Sequence, residues 1–97
     1  MAFTMNLTQL FAILQERQQH PRPESYTARL LESGLPRIAQ KVGEEATEVV
    51  VAALSQDDQR LTEELADLAY HALVLMLARG LTPDDVAQEL ARRHRGA

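Results

Sequence analysis

The chain has 97 residues, 10 basic and 14 acidic, giving a formal net charge of −4; this is room for one small domain, and the acidic balance argues against a general nucleic-acid binder. The absence of cysteine excludes disulfides, thiolate metal sites and a cysteine nucleophile. The apolar run Leu73–Ala78 is far too short to span a bilayer, and no charged segment followed by an apolar stretch opens the chain, so a cytoplasmic protein without a membrane partner is expected.

No strand-like alternation occurs, and the expected fold is all-α, a helical bundle occupying residues 1–97 as a single domain. A first helix is predicted over Leu7–Gln18, capped by Asn6, with Leu7, Leu10, Phe11 and Leu14 on one face. His20-Pro21-Arg22-Pro23 stops it, because two prolines in three residues cannot continue a helix. Ser25 is placed to cap a short helix through Leu31, which Gly34 ends. Pro36 suits the first turn of a third helix reaching Leu54. Ser55-Gln56-Asp57-Asp58 forms the connection, and a fourth helix runs on to Gly80.

The second half of that fourth helix, Ala72–Ala78, is apolar nearly all round. Such a segment wants burial on every side, more than a monomer of this size provides. A homodimer with a four-helix-bundle-like core is therefore expected. The last helix has the clearest start: Thr82 as cap, Pro83 at the first position, Asp84 and Asp85 in the first turn, and Leu81 and Val86 spaced for a hydrophobic staple. Arg92-Arg93-His94-Arg95 closes the chain. These cations either complement the helix dipole or contact phosphate.

Two pairs of acids stand out. Glu45 and Glu48 form E-x-x-E, and after fifteen intervening residues Glu64 and Asp67 form E-x-x-D. Each pair lies one helical turn apart and projects its carboxylates side by side. At roughly 100° per residue, Val42, Val49 and Ala53 fall within about 60° of Ile38, with Ala46 a little beyond. Glu45 falls about 20° to the other side, inside the apolar stripe, with Glu48 and Lys41 flanking it on the same edge. In the fourth helix Leu61, Leu65, Leu68, Ala72, Leu75 and Met76 form the stripe, and Glu64, Asp67 and His71 line one edge of it. A carboxylate in a core stripe is costly unless paired or bound to metal. Four carboxylates from two adjacent helices suit Mg²⁺ or Mn²⁺; the plainer alternative is ordinary helix-surface acids.

No glycine-rich phosphate loop, Ser-His-Asp logic or H-E-x-x-H pattern is present. Metal-assisted chemistry on a phosphorylated substrate is what remains. Lys41 and Arg37 precede Glu45 by one and two turns and offer positive charge, although Lys41 can equally form an i,i+4 salt bridge with Glu45. His71 is either a satisfied structural residue or a substrate contact. Arg93 and His94 are the remaining candidates for substrate contact.

The acidic spacing resembles the all-α nucleoside-triphosphate pyrophosphatase superfamily. Longer strings are more specific: Ser25-Tyr26-Thr27, then Arg37 through Glu45 (RIAQKVGEE), Glu64 through Leu75 (ELADLAYHALVL), and Arg92-Arg93-His94. In content, order and spacing they resemble the phosphoribosyl-ATP pyrophosphatase family over roughly Ser25–His94. The resemblance implies hydrolysis of the α–β bond of phosphoribosyl-ATP to phosphoribosyl-AMP and pyrophosphate, the second step of histidine biosynthesis. It also implies Mg²⁺ and a homodimer.

Carried over by position, Glu45, Glu48, Glu64 and Asp67 would hold the metal, and Glu44 would orient or deprotonate the attacking water. Lys41, Arg37 and Ser25-Tyr26-Thr27 would face phosphates or ribose. Many family members are fused to a cysteine-using cyclohydrolase; because this chain has no cysteine, a stand-alone form is expected here. A dUTP-type house-cleaning pyrophosphatase would share the acids but not the Ser-Tyr-Thr and Tyr-His blocks. A ferritin-like di-iron protein needs E-x-x-H pairs, and Leu68 stands three residues before His71. A non-enzymatic helical dimerisation module predicts no dependence on divalent metal.

Overall fold

A computed structural model of the chain describes residues 3–95. It contains five helices: α1 (Leu7–Gln19), α2 (Tyr26–Glu32), α3 (Leu35–Ser55), α4 (Asp58–Ala78) and α5 (Pro83–His94). No strand occurs among the described residues, and no single helix is long and apolar enough to cross a membrane.

Local chemistry sets the starts. Asn6 and Gln9 form a reciprocal capping box on α1, and Thr82 and Asp85 form another on α5. The Ser25 side chain caps α2, and Asp57 caps α4 by accepting from the Arg60 amide at 2.9 Å. The α3–α4 connection is therefore only Gln56 and Asp57, shorter than expected from the sequence, because Ser55 and Asp58 are both helical. So short a link folds the two 21-residue helices back on each other as an antiparallel hairpin.

Phe11 and Leu14 of α1, Leu30 of α2, Ile38 of α3 and Leu73, Val74 and Leu77 of α4 make one core at the open end of that hairpin. α5 turns away from α4 through a bend of 102° and buries none of its residues. Leu81 and Val86, expected to staple its start, both remain exposed.

Two expectations about helix faces are corrected. On α3 the buried line is Ile38, Glu45 and Ala52, and Ala53 is exposed. On α4 the buried residues are Glu64, His71, Leu73, Val74 and Leu77. The stripe read from the sequence is turned aside instead: Leu65 is exposed, and Leu61, Leu68, Ala72, Leu75 and Met76 are half-buried. Both faces of this helix are apolar, and α1 and α3 claim the one that carries Glu64.

Gly34 joins α2 to α3 with φ 94° and ψ 164°, a backbone region open essentially to glycine alone. Gly43, inside α3, has open space where a Cβ would point. Opposite outcomes are expected in thermal melts. Gly34→Ala should destabilise by about 1–3 kcal/mol, whereas Gly43→Ala should stabilise by about 0.5–1 kcal/mol.

Candidate metal and active site

Ile38, Glu45 and Ala52 recur every two turns along α3, so the middle of its buried line is a carboxylate rather than an aliphatic side chain. On α4, Glu64 occupies the corresponding inward position near the helix start. The antiparallel hairpin brings the two face to face, and each is only 6% exposed. Glu48, one turn beyond Glu45 and exposed, joins them: one carboxylate oxygen from each of Glu45, Glu48 and Glu64 lies within 4.8 Å of the others. Asp67, exposed on the next turn of α4, lies outside that group of three.

Each buried acid is half satisfied. Glu45 Oε1 is 3.3 Å from Lys41 Nζ, and Glu64 Oε1 accepts from Arg60 Nη2 at 2.6 Å. The other oxygen of each, Oε2, is buried without a partner among the described residues. An orphaned buried acceptor costs about 1–3 kcal/mol, and more when charged, and such atoms mark places where an ion or water completes the shell. Hard, crowded, oxygen-only donors with free lone pairs fit a divalent cation such as Mg²⁺ or Mn²⁺.

Positive charge borders the acids. Burial lowers the Lys41 ammonium pKa, but the hydrogen bond to Glu45 and the Glu45 and Glu44 carboxylates nearby hold it above the usual lysine value. It stays protonated at neutral pH. Arg37, exposed, lies 3.5 Å from Glu44.

The Ser-Tyr-Thr block is fastened to α4. Ser25 is the α2 cap, Tyr26 is hydrogen-bonded to His71 Nε2 at 2.9 Å, and Thr27, buried, bonds the Tyr70 hydroxyl. His71 Nδ1 lies 2.7 Å from the Asp67 carbonyl oxygen, which can only accept. In the neutral ring Nδ1 therefore carries the proton, and the Tyr26 hydroxyl donates to Nε2. Both nitrogens of His71 are committed within the protein. The Tyr26 and Tyr70 rings each meet His71 edge to face, with Tyr70 and His71 centroids 5.2 Å apart.

Arg93 and His94 stand exposed at the end of α5, with Arg93 held by Glu89 at 3.0 Å. Neither belongs to the side chains gathered around the acids. Sequence reading missed Arg60, although its i,i+4 spacing to Glu64 repeats that of Lys41 to Glu45. It also missed that Thr27 and Tyr70 form a pair, since nothing local links two residues on different helices.

The phosphoribosyl-ATP pyrophosphohydrolase family profile matches residues 7–94. The chain belongs to that family. It is 52% identical over 87 residues to the phosphoribosyl-ATP pyrophosphatase of Sulfurisphaera tokodaii, covering 90% of this chain and 93% of that one. To the enzyme of the same name from Pyrobaculum calidifontis it is 51% identical over 87 residues, again 90% and 93% of the two chains. It is 50% identical over 88 residues to the histidine biosynthesis bifunctional protein HisIE of Oceanobacillus iheyensis, covering 91% of this chain but only 41% of that longer one. The family members so named are hydrolases, and the helical bundle with its acidic hairpin is this member's version of the scaffold.

Tyr26→Phe removes the hydroxyl that donates to Nε2 of the buried His71. A loss of about 1–2 kcal/mol in denaturant unfolding is expected. An unchanged midpoint would mean that the bond does not form in solution.

Proposed function

We propose that this chain hydrolyses the α–β phosphoanhydride of phosphoribosyl-ATP, releasing phosphoribosyl-AMP and pyrophosphate in the second step of histidine biosynthesis. Glu45, Glu48, Glu64 and Asp67 hold Mg²⁺ for this reaction, with Mn²⁺ an accepted substitute. The observation that carries the reading is the pair of buried carboxylates, one from each arm of the hairpin, each with an oxygen lacking a partner. Bound there, the cation supplies Lewis-acid polarisation of phosphoryl oxygens and offsets charge on the departing pyrophosphate.

The protein's own groups divide the remaining work. Glu45 and Glu64 are fixed by burial, while Glu48 and Asp67, on the open edge, meet substrate and solvent. Lys41 and Arg37 lie one and two turns before Glu45 and present cationic donors to the phosphate chain. Glu44 accepts the proton of the attacking water. Its contact with Arg37 is solvent-exposed and 3.5 Å long, worth little in itself, so neither group is locked away from substrate. Ser25, Tyr26, Thr27 and His71 form the wall beside the acids and set where ribose can lie.

The active form is a homodimer. Leu35, Ala39, Ala72, Leu75, Met76 and Leu81, together with Arg79, line a largely apolar hollow on the α4 face that the subunit's own core leaves half-buried. Val50, Val51 and Leu54 expose a further apolar strip on α3. A second copy covers such a surface.

Pyrophosphate release from phosphoribosyl-ATP, compared with dUTP and dCTP, tests the substrate directly: preference for either pyrimidine nucleotide overturns it. Glu48→Ala and Asp67→Ala should each lower kcat at least about a hundredfold. Glu45→Gln should leave the metal-free protein at least as stable as the parent, and should abolish the rise in melting temperature that Mg²⁺ produces. If Mg²⁺ still stabilises that variant, this carboxylate is not a ligand. Leu75→Glu places a charge on the covered face and should shift sedimentation toward monomer. A parent that sediments as a monomer at micromolar concentration rules out the dimer.

A further inference from the structure

Arg60 is not among the residues to which a catalytic or binding role has been given, yet it makes the shortest contact to either buried acid. Its Nη2 donates to Glu64 Oε1 at 2.6 Å, and its Nη1 donates to Glu63 Oε1, also at 2.6 Å. The guanidinium is thus forked between one buried and one exposed carboxylate. Glu63 is additionally held by Gln59, whose amide donates to its other oxygen at 3.1 Å, so one arm of the fork has a ready-made seat away from the site. The backbone amide of Arg60 is pinned by the Asp57 cap, whereas its side chain is 51% exposed. The anchor is fixed and the arm is free to turn outward.

Lys41 differs on each count. It has one carboxylate partner, at 3.3 Å, and its side chain is 21% exposed. Of the two cations beside the acids, Arg60 is the one built to leave.

We propose that Arg60 is a displaceable counter-ion: it neutralises Glu64 while the site lacks a divalent cation, and it yields that carboxylate by swinging wholly onto Glu63 when the cation arrives. The proposal rests on the metal-site reading above. A guanidinium on Glu64 Oε1 and a divalent ion among Glu45, Glu48 and Glu64 would be like charges a few ångströms apart in a partly buried interface, where repulsion is strong. The two states therefore oppose one another. The contact that protects the metal-free fold must weaken the apparent affinity for metal, by mass action.

Calorimetric titration of Mn²⁺ into the full-length protein measures this without reference to turnover. Arg60→Gln should bind Mn²⁺ about three- to fivefold more tightly, the size of one exposed charge pair, and its metal-free melting temperature should fall by about 2–4 °C. Glu63→Gln takes away the alternative seat and should weaken Mn²⁺ binding about two- to threefold. Arg37→Gln removes an equal charge whose partner is Glu44 rather than an acid of the group. A gain there equal to that of Arg60→Gln means that overall charge alone is at work and overturns the proposal. So does an Arg60→Gln variant that binds Mn²⁺ no better than the parent. A parent that binds no Mn²⁺ sinks the metal-site reading itself, and this proposal with it.

Discussion

Two glutamates from facing helices meet in an interface that otherwise packs aliphatic side chains, and the rest of the molecule accommodates that meeting. At the 4.8 Å limit of the group, two carboxylates repel by about 3–4 kcal/mol at an effective dielectric near 20. Each would also leave a charge in a place that water barely reaches. Lys41 and Arg60, each one turn before its acid, offset part of that repulsion. Their donors reach only one oxygen of each acid. What is left over is one buried, unpartnered oxygen on each acid, in a hairpin whose other end is held by the core.

That core also determines how the site is walled. Ile38 on α3 and Leu73, Val74 and Leu77 on α4 seat the open end of the hairpin on α1 and α2. From there the Tyr26–His71 and Thr27–Tyr70 links bring the start of α2 against α4, close to Asp67. The Tyr26 and Thr27 hydroxyls are engaged in holding α2 to α4, and the Ser25 hydroxyl caps α2.

What the sequence made legible was mostly local. The caps at Asn6, Ser25 and Thr82 follow from side chains that bond backbone amides three residues on, a relation contained in any short window. The inward position of Glu45 follows from helical period alone, since its neighbours Ile38 and Ala52 flank it at two-turn intervals on the same face. Glu64 was placed on an edge and is in fact buried, because α4 has two apolar faces and periodicity cannot say which one the rest of the chain will occupy. The same ambiguity turned Leu65 outward and left Leu75 and Met76 half-covered. Asp57 was read as part of a loop rather than as a cap. Recognising it would have shortened the connection and strengthened the case for a tight hairpin.

The proposed divalent-cation site lies between Glu45, Glu48 and Glu64. The most direct test is a crystal structure of the protein grown with Mn²⁺, with diffraction collected at the manganese absorption edge. The account predicts an anomalous peak between α3 and α4, roughly 2.1 Å from carboxylate oxygens of Glu45 and Glu64, with both of the oxygens that lack partners here now engaged. A peak confined to surface acids, or well-ordered Glu45 and Glu64 side chains with no peak between them at saturating Mn²⁺, would contradict it.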